Sequence, residues 1–451
     1  MNELLHDASH RAATYLDGLP GRRVFPSPDN LAGLGRLAVP LQDEPIDPQL
    51  VLRELDAHGS PAATASAGGR YFGFVIGGSL PAAVAASFLA TAWDQNAALM
   101  ATSPLAAALE EVAASWLIDV LGLPSGTGVG FVTAATTANF TGLAAGRHAV
   151  LDRLGWDVET KGLFGAPPIT VVVGDEVHAS VLKALSMLGL GSERVLRVAV
   201  DARGRMRPDA FPEFSGPALV CLQAGNVNTG EADPFEELIP RARAAGAWVH
   251  VDGAFGLWAA ASPARAHLVR GVAGADSWAL DAHKWLNVPY DSGLVFVRSE
   301  KTLREAMAIR AAYLIEGAAR EPCFNTPELS RRARGTEIWA ALRSLGRRGL
   351  AELIERSCRH ATRFAEALTG AGHRVLSPVV LNQVLVSFGS DAATQEVIGR
   401  VQEDGTCWCG GTFWQGKAAM RISVSCWATT DEDVDASLRA ILRCAQEAGG
   451  G

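Results

Sequence analysis

In Ser277-Trp278-Ala279-Leu280-Asp281-Ala282-His283-Lys284-Trp285, an apolar, strand-like run ends on an acid, a histidine and a lysine. Lys284 is a candidate nucleophile. An ordinary lysine, with a pKa near ~10.4, is too protonated to attack. It becomes useful when its site lowers that value or when it is held as a Schiff base with an aldehyde cofactor. Either use demands partners elsewhere in the chain, at the same edge of the same sheet.

The residues on both sides of this stretch predict such a sheet. From about residue 129 to 300, short β-branched runs alternate with helix-like segments, the pattern of a mainly parallel sheet covered by helices. Candidate strands are Val129–Thr133, Thr170–Val173, Val195–Val200, Ala218–Leu222, Trp248–Val251, Ser277–Leu280 and Leu294–Val297. Ligands of such sheets bind beyond the carboxyl ends of the strands. Four of these ends run into Ala134-Ala135-Thr136-Thr137, Gly174-Asp175-Glu176-Val177-His178, Ala224-Gly225-Asn226 and Asp252-Gly253-Ala254, and a fifth runs into Asp281-Ala282-His283-Lys284. Every notable polar residue is therefore expected at one edge.

Composition narrows the function classes. The 451 residues are 48% hydrophobic with 47 Gly and 22 Pro, enough for a large core and more than one compact unit. The formal net charge is −8, with both signs scattered, so no basic face suits a nucleic acid. Met1 to Asp7 does not read as a secretory signal, and the most apolar stretches, 81–92 and 111–124, fall short of the ~20 uninterrupted apolar residues of a membrane span; a cytoplasmic protein is expected. The seven cysteines show no C-x-x-C spacing, and Cys407-Trp408-Cys409 has no companion pair to complete a metal site, so free buried thiols are expected and no metal.

Three domains are expected: an N-terminal helical segment over 1–100 that packs against a partner subunit, a large domain over 101–328, and a small C-terminal α+β domain over 329–451. The last opens on a long charged helix over 329–370, followed by strands at Val384–Phe388 and Met420–Ser425 and helices at 392–403 and 431–447. Asp233-Pro234-Phe235-Glu236 predicts a helix start, with Asp at the N-cap and Pro at the first helical position.

Pyridoxal phosphate needs a lysine, an acid beside its pyridine nitrogen, a platform for the ring and donors for its phosphate. Asp252, at the end of Trp248–Val251, is a candidate acid, and His178 a candidate platform. The turn Thr133–Asn139 is a candidate phosphate site, where small residues and free helix N-terminal amides meet. Taken singly, each has a plain structural reading: a turn cap, a surface histidine, a threonine N-cap. No G-x-G-x-x-G or Walker-type loop occurs, which excludes the common dinucleotide and nucleoside triphosphate motifs.

In combination, the chain resembles the group II pyridoxal-phosphate-dependent amino acid decarboxylases over residues 70 to 440. The matching pieces run in order through Ser103-Pro104, Leu109-Glu110, Trp116-Leu117, Ala135–Asn139, His178, Gly225 to Gly230, Asp233-Pro234, His250–Ala254, Asp276-Ser277 and His283-Lys284-Trp285. The resemblance implies the aspartate aminotransferase-like (type I) α/β fold, with a mainly parallel seven-stranded sheet. It further implies a homodimer, pyridoxal 5'-phosphate as cofactor, and decarboxylation of an L-amino acid. By position it makes Lys284 the Schiff-base lysine, Asp252 the partner of the pyridine nitrogen and His178 the residue on the ring. Ala135, Thr136 and His283 become phosphate contacts with Asp281 beside them. Ala254 becomes the small residue beneath the ring, and Asn226 stands where relatives usually carry Thr.

The chain departs from the pattern in one respect. Relatives carry a tyrosine on a loop before the stretch matched here by Arg331-Arg332-Ala333-Arg334, and it helps protonate the product carbon. Residues 314–329 contain none, and Tyr313 precedes them; Phe324 or Asn325 is expected near that position. Relatives with Phe there give an aldehyde by reaction with oxygen, so aldehyde synthesis stands beside decarboxylation, as do transamination and aldolase- or lyase-type cleavage. Arg421 resembles in placement an arginine that grips an α-carboxylate in aminotransferases. Tyr71-Phe72-Gly73-Phe74, Trp93, Phe324 and Trp414 would favour an aromatic or aliphatic substrate.

Overall fold

The computed structural model describes residues 1–308 and 321–449. All seven expected strands form one sheet: β1 (Gly128–Val132), β2 (Thr170–Gly174), β3 (Val195–Val198), β4 (Ala218–Gln223), β5 (Trp248–Asp252), β6 (Ser277–Asp281) and β7 (Gly293–Val297). Their order is β1-β7-β6-β5-β4-β2-β3. The pairs from β3 through β6 are parallel, while β7 runs antiparallel to both β6 and β1. Two reversals restore the direction, so β1 ends at the same edge as β6. Every residue of β1, β4, β5, β6 and β7 is buried, which explains their unbroken apolar runs: both faces of these strands are covered. Edge strand β3 is instead half exposed.

Helix Ala135–Asp152 covers one face of the sheet with eleven buried residues. Its close seat depends on two glycines. A Cβ on Gly142 would lie 2.9 Å from the His250 ring, and one on Gly146 would lie 2.7 Å from the Trp248 indole. Phe235–Ala244 begins at Pro234, close to the expected position, but Asp233 does not cap it. The buried Asp233 carboxylate instead accepts the Met206 and Gln223 amides at 2.7 Å each, tying a loop to β4.

By compactness the chain divides into two units. The larger comprises Ser79–Arg359 with Ser377–Gln383, and the other Met1–Gly78 with His360–Leu376 and Val384–Gly451. The long helix is found at Gly335–Gly370 and is interrupted at Gly346, whose φ of 59° breaks the helical run. The smaller unit has an antiparallel sheet of β8 (Arg374–Val375), β9 (Gln383–Ser387), β10 (Gly410–Trp414) and β11 (Lys417–Ser423), ordered β10-β11-β9-β8. The expected helices appear as Asp391–Asp404 and Asp431–Gly449. Arg421 lies in β11 opposite Gly410. No helix among the described residues is long and apolar enough to cross a membrane.

Candidate active site

Lys284 follows β6 by three residues, and its Nζ lies 2.9 Å from Asp281 Oδ2. The other oxygen of that carboxylate accepts the Ala135 amide at 2.6 Å, across 146 residues of sequence. One buried side chain thus joins the lysine to the first turn of Ala135–Asp152. The helix's own N-cap residue, Ala134, supplies no side-chain cap, so beyond the Ala135 amide taken by Asp281 the N-terminal amides keep their partial positive charge for a ligand. Thr133 and Thr137 share a 2.7 Å hydroxyl contact that closes the turn on itself, and Thr136 stands half-buried between them. Gly293 of β7 lets the turn seat closely, since a Cβ there would come within 2.6 Å of Ala134 Cα.

His283 is buried beside Asp281, with Nε2 3.6 Å from Oδ1, and its Nδ1 accepts the Ser292 amide at 3.0 Å. The proton of the neutral ring therefore sits on Nε2. Burial pushes the imidazole below its ordinary pKa, with the Asp281 charge opposing. The Tyr290 ring stacks on it with centroids 4.2 Å apart.

Asp252 ends β5. Its Oδ1 accepts the Ala254 amide at 3.1 Å, while Oδ2 accepts from Asn139 Nδ2 at 3.2 Å and from Ser180 Oγ at 3.3 Å. Two neighbouring strands meet this corner: Ala224 donates its amide to the Asp252 carbonyl, and Asp281 donates its own to the Ala254 carbonyl, each at 2.9 Å. His178 is the N-cap of Ala179–Met187, where Nδ1 accepts the Ser180 amide at 3.2 Å and lies 2.7 Å from Ser180 Oγ. The ring is exposed but fixed at one edge. Ser180 lies between His178 and Asp252, and links the two.

Asn226 sits three residues past the neighbouring strand β4. Its Oδ1 accepts the Asn228 and Thr229 amides, whereas Nδ2 is buried with no hydrogen-bond partner among the described residues. A buried amide donor left open is costly unless a ligand completes it. Open donors, a helix start with no N-cap side chain, a lysine and a fixed carboxylate at one sheet edge fit a phosphate-bearing aromatic aldehyde. Every residue singled out in the sequence for this edge is found there.

Other expectations resolve differently. Phe324 and Asn325 are buried; Arg304 lies over the Phe324 ring, and Asn325 Nδ2 donates to the Val129 carbonyl of β1. Tyr313 and residues 314–320 of the tyrosine-free loop lie outside the described residues. Trp414 packs with Leu385 and Ala419 in a small core, and Tyr71 stacks on Trp408, while Phe74 and Trp93 are exposed. Sequence reasoning passed over Ser180, and named Asn139, His250 and Ser277 only inside longer stretches, with no role of their own. The only available signal was that Trp248, His250 and Asp252 alternate onto one face of a strand.

A family model described as "Pyridoxal-dependent decarboxylase conserved domain" matches residues 39–389. Tryptophan decarboxylase 1 of Oryza sativa subsp. japonica is 26% identical over 463 aligned residues, which cover 93% of this chain and 88% of that protein. The 4-hydroxyphenylacetaldehyde synthase of Rhodiola rosea is 29% identical, with 76% and 74% covered. Among solved structures, the crystal structure of Oryza sativa TDC with PLP and tryptamine superposes with a TM-score of 0.91 at 22% identity, covering 99% of this chain and 97% of that one. At that identity the likeness establishes the fold.

Proposed function

The chain belongs to the pyridoxal-dependent decarboxylase family, and from that premise we propose that it decarboxylates an aromatic or aliphatic L-amino acid, aromatic first, to the amine and carbon dioxide. Its cofactor is pyridoxal 5'-phosphate. The observation that carries this reading is the Asp281 carboxylate, which holds Lys284 Nζ and the Ala135 amide together. The amine that would anchor the cofactor and the helix start that would hold its phosphate are thereby set in one register.

When bound, the cofactor supplies a protonated aromatic ring that accepts the electron pair released as the bond from Cα to the carboxylate breaks. We assign Lys284 as the anchoring amine and Asp252 as the carboxylate that keeps the ring nitrogen protonated. His178 is assigned to the ring face, and Ala135, Thr136 and His283 to the phosphate with Asp281 behind them. Ala254 leaves room beneath the ring, and Asn226 offers its open Nδ2 to the cofactor's polar edge. The substrate class draws on the tryptophan decarboxylase relative.

A second reading is favoured by the Rhodiola synthase relative and the tyrosine-free segment 314–329: oxidative decarboxylation to an aldehyde. That reaction consumes oxygen and water and releases carbon dioxide, ammonia and hydrogen peroxide. The test is to supply tryptophan, tyrosine and phenylalanine to the cofactor-loaded protein. Carbon dioxide with equimolar amine and no oxygen uptake supports the main reading. Oxygen uptake with ammonia and aldehyde replaces it with the second, and no release of carbon dioxide from any amino acid overturns both.

We further propose a homodimer in the cytoplasm. Helices Asn2–Gly18 and Pro48–Ala62 bury no residue, and Leu5, Leu16, Leu50, Val51 and Leu55 stand exposed on them, an apolar surface suited to a second copy. The seven cysteines are buried and free, as suits a reducing compartment. Light scattering should give twice the 47.4 kDa chain mass.

A further inference from the structure

Behind Asp252 lies a line of buried side chains that the assignments above leave unused. Trp248, His250 and Asp252 alternate on β5 toward the face covered by Ala135–Asp152, and Ser277 of β6 stands in register with His250. Trp248 Nε1 lies 2.9 Å from Ser277 Oγ, Ser277 Oγ 2.8 Å from His250 Nδ1, and His250 Nε2 2.8 Å from Asn139 Oδ1. Asn139 Nδ2 then lies 3.2 Å from Asp252 Oδ2. His250, Ser277 and Asn139 are each fully buried.

The donors can be ordered from chemistry alone. An indole Nε1 only donates, so Ser277 Oγ accepts from Trp248, and its own proton goes to His250 Nδ1 at 2.8 Å rather than to the more distant Gly142 carbonyl at 3.5 Å. The Asn139 amide nitrogen faces the carboxylate, so its oxygen faces His250 and must accept. Nε2 of His250 therefore carries a proton. Burial holds this ring neutral, pushing its pKa down to about 4, so Nδ1 is bare and accepts from Ser277. Every bond points the same way: Trp248 to Ser277, Ser277 to His250, His250 to Asn139, Asn139 to Asp252. Aligned donors polarise one another, and the chain ends on a carboxylate oxygen, Asp252 Oδ2, that it holds in one place.

We propose that Ser277, His250 and Asn139 form a one-way hydrogen-bond chain that fixes the position and orientation of the Asp252 carboxylate, so that it holds the cofactor's ring nitrogen. His250 and Asn139 are positioning residues. This rests on the reading of Asp252 given above. Gly142 belongs to the same device, because any Cβ there would press on the His250 ring.

Three variants of the cofactor-loaded protein test the chain, read by cofactor dissociation constant, the visible absorption of the bound cofactor, and kcat apart from KM. His250→Phe keeps a flat aromatic ring and removes both nitrogens. It should weaken cofactor binding about tenfold or more, alter the absorption, and lower kcat with KM held within about twofold, the scale of leaving a buried partner unpaired. His250→Gln keeps a donor for Asn139 Oδ1 and should recover most of the loss. Ser277→Ala should move all three readouts in the same direction by less.

Folded His250→Phe with wild-type affinity, absorption and kcat would overturn the chain while leaving the decarboxylase reading intact. So would His250→Gln no better than His250→Phe. Should His250→Phe fail to fold, Ser277→Ala decides: unchanged affinity and absorption overturn the proposal. Wild-type protein that takes up no pyridoxal phosphate would instead overturn the reading of the site itself.

Discussion

Lys284 and Ala135, 149 positions apart in the chain, are held by the two oxygens of one carboxylate: Asp281 Oδ2 lies 2.9 Å from Lys284 Nζ, and Oδ1 accepts the Ala135 amide at 2.6 Å. The reactive amine and the helix start cannot move independently while this side chain is in place. Lys284→Ala should abolish both turnover and the yellow colour that borohydride bleaches in the wild-type protein. Asp281→Ala should keep the lysine but weaken cofactor uptake at least tenfold, since bonds to a charged group contribute ~1.5–3 kcal/mol each. Equilibrium dialysis measures it; unchanged affinity in Asp281→Ala would remove the shared-carboxylate argument.

Glu110 and Arg331 form a fully buried ion pair, 2.6 Å from Arg331 Nη2 to Glu110 Oε1, and Arg331 Nη1 also donates to the Phe131 carbonyl of β1. Removing one partner strands the other charge in the interior. Arg331→Met and Glu110→Leu should each cost about 3–5 kcal/mol, while the double replacement should cost less than either alone. Urea unfolding of the three variants measures this. Equal or additive losses would show that the pair is not an isolated unit.

Gly293 stands where β7 passes the phosphate turn. A Cβ would meet the Ala134 backbone at 2.6 to 2.8 Å, and backbone cannot swing aside as a side chain can. Gly293→Ala should destabilise the protein by about 1–3 kcal/mol and raise the cofactor dissociation constant, because the turn must shift to make room. A thermal melt with and without cofactor separates the two effects.

His250 and Asp233 give opposing responses to acid. Burial lowers His250 from an ordinary 6.5 to about 4, so between these values the unfolded chain binds a proton that the folded chain refuses, and stability falls as the pH drops through that window. Burial raises Asp233 from 3.8 to about 6, so the folded chain keeps a proton the unfolded chain has lost, and stability from this group is lost as the pH rises through 6. The two largely cancel between pH 4 and 6. His250→Gln removes one arm, so its stability deficit relative to wild type should shrink by on the order of 3 kcal/mol between pH 7 and pH 4. Asp233→Asn should behave oppositely, with its deficit smallest above pH 6. Parallel pH-dependent melts of the three proteins test both signs.

Much of the fold could be read from the chain because β1, β4, β5, β6 and β7 are buried on both faces and must be apolar along their whole length. An apolar run carries no direction, however, and the reversal of β7 came only from its pairing with β6 and β1. Asp233 shows the same limit. Its local sequence suits a helix cap, yet burial spends the carboxylate on Met206 and Gln223. Lys284, Asp252 and His178 were legible because each ends or closely follows a strand at the edge where such sheets bind ligands.

By itself, then, the sequence determined which residues stand at that edge, since strand period and turn position are local properties. Only the tertiary structure decided what they do to one another. The open Asn226 donor, the carboxylate shared between Lys284 and Ala135, and the line from Trp248 to Asp252 join positions far apart in the chain. Hydrogen bonds of a few ångströms between such positions follow from strand order, register and the seat of one glycine-bearing helix, and none of these is a property of any local stretch of sequence.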